Sequence, residues 1–246
     1  MFDYKAPKQL LENRVILVTG AGNGIGRAAS LAYARHGATV ILCGRTVANL
    51  EQTWDAIDAE GLPEAIIHPL DLQSATANEY TQLSELLSAE FGCLHGILHN
   101  ASLLGQRTPI ESYSEQAWNQ VLQVNVTAAF QLTKALLPLL KQAEDAALVF
   151  TSSGVGRRGR AYWGAYAVSK FATEGLVQVL ADELTTTSAI RVNCINPGAT
   201  NTQMRRDAYP AEEPTKNPLP EQIMPLYLYL MGPESAGVNG QSLDAQ

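Results

Sequence analysis

Predominantly apolar strand candidates recur along the chain near positions 14–19, 38–43, 65–70, 94–99, 146–152 and 190–195, with a short one near 240–244. A strand wetted on one face alternates apolar and polar residues. One covered on both faces is apolar throughout, as in parallel sheets. Most of the gaps between these runs carry helical periodicity. One helix is expected over 27–36 and a long one over 122–141, with Pro138 ending or kinking it near the last turn. This alternation predicts an α/β fold of three layers, doubly wound about a mostly parallel sheet of about seven strands with right-handed crossovers. Ligands in such a fold sit beyond the carboxyl ends of the strands.

The alternation is interrupted in one long stretch. Residues 198–219 hold Pro210, Pro214 and Pro218, mixed charge and no period, and read as a long loop or short-helix lid over a substrate site. Residues 1–13 form an extension ahead of the first strand, and 14–246, free of repeats or Ser/Gly linkers, reads as a single domain. At 246 residues and 46% hydrophobic, the chain can bury one sizeable core. Its formal charge of −7 counts against a nucleic-acid surface. The longest apolar runs are broken by Lys134 and Pro138 or are too short to span a bilayer, and no opening stretch reads as a secretory signal. Cys43, Cys93 and Cys194 fall in or beside strands without metal-ligand spacing, which suits reduced core thiols in a cytoplasmic protein. His36, His68, His95 and His99 are scattered and read as structural. Neither a metal, a membrane nor a nucleic acid is expected as a partner.

The first strand runs straight into Gly20-Ala21-Gly22-Asn23-Gly24-Ile25-Gly26 and then into a helix. Glycines let the backbone approach a dinucleotide pyrophosphate, and the helix start offers unpaired N–H groups and a favourable dipole. The spacing is Gly-x-x-x-Gly-x-Gly rather than the commoner Gly-x-Gly-x-x-Gly. An NAD-selective site usually carries an acidic residue at the end of the next strand, for the ribose 2′-hydroxyl. Here that place holds Gly44-Arg45, and a guanidinium suits a 2′-phosphate. NADP(H) is therefore favoured, with NAD(H) as the alternative.

Tyr166 and Lys170 lie four residues apart in Tyr-Ala-Val-Ser-Lys. On a helix they share one face, roughly 6 Å apart along the axis. An ordinary tyrosine titrates near pH ~10, and a neighbouring ammonium would favour its phenolate, bringing it closer to use as an acid or base. Tyr162, the rival tyrosine, has Tyr166 rather than a lysine four residues on.

Taken together, these features resemble the short-chain dehydrogenase/reductases, in their shorter, single-domain branch with a Rossmann fold. The resemblance runs from about Asn13 onward: Thr19 to Gly26, Asp71-Leu72, His99-Asn100-Ala101-Ser102, Asn125, Thr151-Ser152-Ser153, Tyr166 with Lys170, and Asn196-Pro197-Gly198. Stretches such as Lys170 to Gly175 and Met224 to Leu228 are further similar to a bacterial branch, the YciK-like oxidoreductases. Departures are His99 and Ser102, where the family has Asn and Gly, and Thr200, where it commonly has Ile or Val.

The resemblance implies a catalytic set of Asn125, Ser153, Tyr166 and Lys170, with NADP(H) transferring hydride to or from a small carbonyl or alcohol compound. Ser153 would hold the substrate oxygen and Tyr166 would give or take its proton. Lys170 would lower the tyrosine pKa and bind the nicotinamide ribose, and Asn125 would fix a relay water. Gly20, Gly22, Asn23, Gly24, Ile25, Gly26, Arg45, Asp71, Leu72, Asn100 and Ala101 would line the cofactor, Asp71 at the adenine. Pro197, Gly198, Thr200 and Thr202 would meet its nicotinamide end. A homodimer or homotetramer is also implied, packed through the helix after Asn125 and the helix of Tyr166. A nucleotide-binding regulatory or scaffold protein with weak catalysis is the alternative. Arg157, Arg158 and Arg160 either attract an anionic substrate or form a solvated or subunit-facing basic loop, and the second reading is preferred.

Overall fold

The structure is a computed structural model that describes all 246 residues. Strands β1 (Val15–Thr19), β2 (Thr39–Gly44), β3 (Ile66–Pro69), β4 (Gly96–His99), β5 (Ala146–Thr151), β6 (Ile190–Asn196) and β7 (Ser242–Asp244) form one sheet, ordered β3-β2-β1-β4-β5-β6-β7. Every pairing is parallel, so the sheet is more uniform than the mostly parallel one expected. Helices α1 (Gly24–Arg35), α2 (Val47–Ala59) and α8 (Met224–Met231) cover one face. Helices α3 (Ala77–Phe91), α5 (Ala128–Leu140) and α6 (Gly164–Thr185) cover the other, with α4 (Glu115–Leu122) packed against α6.

Two cores result, one on each face, because successive strand residues point opposite ways. Ile16, Val18, Val40 and Leu42 pack against Leu31, Leu50 and Tyr227. Leu17, Ile41, Ile97 and Leu148 pack against Leu83, Leu132 and Val177. From β1 the chain first winds outward through β2 and β3, then returns to lay β4 on the other flank of β1. That reversal opens a crevice at the carboxyl ends of β1 and β4, where a doubly wound sheet binds its ligands.

The helix expected over 122–141 is longer and less regular than its pattern suggests. Ser114 accepts a hydrogen bond from the Ala117 amide and starts α4, and the chain continues to Leu140 through a π-helical turn at Gln123–Thr127. Pro138 lies in the last turn, two residues before the end. Within 198–219 the chain forms a short helix, α7 (Gln203–Ala208), and a 3-10 turn at Pro214–Lys216. The first 13 residues pack against the α8 face: the rings of Phe2 and Tyr4 meet Tyr229, and Leu10 and Leu11 are buried. No helix is long and apolar enough to cross a membrane.

Candidate active site

Two compartments lie at the carboxyl ends of the strands, on either side of the turn between β1 and α1. Their walls share Gly20, Asn23, Ala101 and Ser102, which makes them halves of one groove. Gly24 takes a φ of +52°, open to glycine at little cost, and a Cβ on Gly26 would overlap the Gly20 carbonyl oxygen. The turn therefore brings bare backbone to the groove. Asn23 gives α1 no side-chain cap, so the N–H groups of the first helical turn remain available to an anion. Thr19 organises the opposite lip: its hydroxyl oxygen accepts from the amides of Asn100 at 3.0 Å and Ala101 at 3.1 Å.

The first compartment is walled by Gly22, Gly44, Arg45, Thr46, Asp71 and Leu72, among others. Arg45 is exposed there and has no salt-bridge partner. Asp71 turns the chain after β3 by accepting from the Gln73 amide through Oδ1 at 3.0 Å. An anion-accepting turn in the middle and an unneutralised arginine at one end fit a dinucleotide that carries an extra phosphate.

The second compartment is a cleft of about 680 Å³ walled by Ile25, Asn100, Ser153, Tyr166, Lys170, Pro197, Gly198, Thr200 and Thr202, among others. Tyr166 and Lys170 occupy the first two turns of α6. Entry into α6 is tight, since Tyr162 has φ +69° and a Cβ on Gly164 would overlap the Tyr113 ring. Burial pushes the Tyr166 hydroxyl up to about 12, and the nearby Ser153 hydroxyl acts in the opposite direction. Lys170 is only 4% exposed, and burial brings it down to about 8. Its Nζ donates to the Thr151 carbonyl at 2.8 Å and stands 5.5 Å from the Tyr166 ring centre. Desolvation of the phenolate is the largest influence, so the tyrosine moves up rather than down.

Asn125 sits in the π-helical turn and is almost fully buried. Its Oδ1 accepts from the Leu103 amide at 2.7 Å, while Nδ2 donates to the Leu103 carbonyl at 3.0 Å and to the Ser169 Oγ at 2.9 Å. Both amide hydrogens are therefore committed to bracing the loop after β4 against α6, rather than to a water. Beside it lies a chamber of about 10 Å³, walled by Thr19, His99, Asn125, Thr151, Lys170 and Thr173 among others. That is near the smallest space that holds one water. Thr200 donates to the Pro197 carbonyl at 3.0 Å, and Thr202 caps α7 by accepting from the Arg205 amide at 3.1 Å.

Ser152, next to Ser153, donates its hydroxyl to Glu174 at 2.7 Å. Arg157 is engaged by Asp244 and Ser242 at the β7 edge, and neither Arg158 nor Arg160 lines the cleft. His99 is kept neutral by burial, at about 3, and its Nε2 meets the Thr133 hydroxyl at 2.9 Å. Leu104, Trp163 and Met204 give the cleft an apolar wall. Tyr209 packs behind them.

One group escaped the sequence reading altogether. Arg107 donates to the Ala208 carbonyl at 2.6 Å and lies 4.2 Å from the Trp163 ring centre and 5.3 Å from that of Tyr209. It fastens the end of α7 to the residue that opens α6. No spacing signals it, since its partners lie far along the chain.

Comparison with known proteins agrees with this geometry. Residues 14–213 match the family model described as short chain dehydrogenase. The chain is 51% identical over 243 residues to the uncharacterised oxidoreductase YciK of Escherichia coli K12, covering 99% of this chain and 96% of that protein. A short chain dehydrogenase structure from Pseudomonas syringae is 60% identical, covers 100% of both chains and superposes with a TM-score of 0.98. Another, from E. coli CFT073 in complex with NADPH, is 52% identical, covers 98% of this chain and 100% of its own, and has a TM-score of 0.95.

Proposed function

The chain belongs to the short-chain dehydrogenase family and is an oxidoreductase, and from that premise we propose that it interconverts a carbonyl compound and its alcohol with NADP(H). The observation that carries this reading is the convergence of Ser153, Tyr166 and Lys170 on one wall of a groove whose far end holds the unpaired Arg45. The NADPH complex of the E. coli CFT073 relative supports the choice of cofactor.

Bound NADP(H) would supply or accept the hydride. Gly20, Gly22, Gly24, Ile25 and Gly26 would hold its pyrophosphate through backbone and helix start, with Asn23 beside them and Arg45 at the 2′-phosphate. Asp71 and Leu72 would border the adenine, Asn100 and Ala101 the middle of the groove. Pro197, Gly198, Thr200 and Thr202 would border the nicotinamide.

Ser153 would donate a hydrogen bond to the substrate oxygen, and Tyr166 would pass it a proton in the reducing direction. A phenol pushed up to about 12 by burial holds its proton at neutral pH, which suits a donor. Lys170, between cleft and chamber, would place its positive charge beside the hydroxyl and carry protons inward. The 198–219 segment, with α7, would act as the substrate lid. Nothing in the site favours the nucleotide-binding scaffold alternative.

Exposed Phe130 on α5 and Val168, Phe171 and Val179 on α6 support a homodimer or homotetramer packed through those helices. Three free cysteines accord with a cytoplasmic setting.

A panel of ketones, aldehydes and alcohols assayed with NADPH and NADP⁺ tests the reading. Tyr166→Phe should lower turnover by roughly 10²–10⁴-fold while NADPH binding is retained. Undiminished turnover in that variant would overturn the assignment.

A further inference from the structure

Arg205 and Arg206 are neighbours on α7, both line the cleft, and their charges meet opposite fates. Arg205 is neutralised by Glu212 through two hydrogen bonds, each 2.6 Å, and its guanidinium lies 3.8 Å from the Tyr209 ring centre. Arg206 has no carboxylate partner. Its Nη1 donates to Asn201 Oδ1 at 2.8 Å, and its Nε and Nη2 donate to Gln203 Oε1 at 3.3 and 3.0 Å. These neutral acceptors aim the guanidinium without cancelling its charge. No Asp or Glu lines the cleft at all.

Placement on the helix shows which way this charge is offered. Thr202 caps the start of α7, and its carbonyl accepts from the Arg206 amide one turn further on at 3.1 Å. The Thr202 methyl stands 3.4 Å from where a Cβ on Gly24 would lie, so the first turn of α7, which carries Arg206, meets the first turn of α1. Thr202 caps α7 at one end and Arg107 holds the Ala208 carbonyl at the other. The helix is therefore held at both ends, with Arg206 between them.

We propose that Arg206 closes over the cofactor pyrophosphate from the α7 side, opposite the glycine turn, clamping the diphosphate between two elements. This rests on the NADP(H) reading above and adds to it a cation from outside the dinucleotide turn. One element supplies backbone N–H groups and the other a guanidinium, so the lid responds to bound cofactor before substrate enters.

The test is titration of NADPH and of 2′-AMP, which carries the phosphate recognised by Arg45 but no pyrophosphate, into wild type, Arg206→Ala and Arg206→Lys. Arg206 is exposed, so the variants should keep the wild-type melting temperature. Arg206→Ala should weaken NADPH roughly tenfold, the size of one lost charge-assisted hydrogen bond, and leave 2′-AMP unchanged. Arg206→Lys should fall between, and the salt dependence of NADPH binding should become shallower in Arg206→Ala.

Equal weakening of NADPH and 2′-AMP would place Arg206 at the adenosine end and overturn the proposal. Unchanged NADPH affinity would overturn it as well. If in that case turnover of anionic carbonyl compounds fell relative to neutral ones, the charge would belong to the substrate. Wild type that binds 2′-AMP but not NADPH would sink the functional reading together with the clamp.

Discussion

Lys170 Nζ donates to the Thr151 carbonyl oxygen at 2.8 Å, tying the ammonium on α6 to the last residue of β5. The bond holds a nearly buried charge, and burial brings its pKa to about 8. In the unfolded chain a lysine keeps its proton to about pH 10.4. Between those limits the unfolded state binds more protons, so this group makes stability rise with pH across that window, by something on the order of 3 kcal/mol. Lys170→Met removes the effect. Urea unfolding of both proteins at intervals from pH 7 to 10 should show the wild type gaining on the variant as pH increases. A difference independent of pH would mean that Lys170 is better solvated than its burial indicates.

Asn125 makes three hydrogen bonds that join the π-helical turn, Leu103 and Ser169. Asn125→Ala leaves buried partners unsatisfied and should cost about 2–4 kcal/mol of stability. Hydrogen exchange at the Leu103 amide should accelerate with it. Lost turnover with normal stability and normal Leu103 exchange would show that the residue serves the chemistry rather than the brace.

Arg45 faces the first compartment without a counter-ion. Arg45→Ala should weaken NADPH by about 10–100-fold and NADH by no more than about twofold, since NADH lacks the 2′-phosphate. Parallel fluorescence titrations decide this, and equal losses for both nucleotides would count against the role.

Arg107 ties α7 to Trp163. Arg107→Ala should loosen the segment that carries Arg205, Arg206 and Lys216, all sites for trypsin. Limited digestion should cut there several-fold faster, roughly in proportion to the population of the opened segment. Unchanged cutting would mean that the Thr202 cap alone holds the helix.

Much of this molecule is readable from local pattern. The seven strand candidates became the seven strands, most legibly in β1, β2 and β5, where both faces are covered and almost every residue is apolar. The glycine turn was legible because close backbone approach leaves no choice of residue at Gly26. Tyr166 and Lys170 were legible because helical geometry alone puts them on one face. The start of α4 at Ser114 was missed, as an isolated cap with no capping box is a weak signal. The π-helical turn was missed because one extra residue per turn leaves an apolar helix apolar.

Order of elements, the dinucleotide turn and the pairing of Tyr166 with Lys170 follow from the sequence by itself, because short-range geometry and periodic burial decide them. Tertiary structure alone decided which arginines are free. Arg157 is engaged by Asp244, 87 residues away, while Arg45 and Arg206 meet no carboxylate. It also decided that burial pushes Tyr166 up to about 12, where spacing alone had pointed down, and brings Lys170 down to about 8. A charge is set by everything that surrounds it, and those surroundings come from segments that only folding brings together.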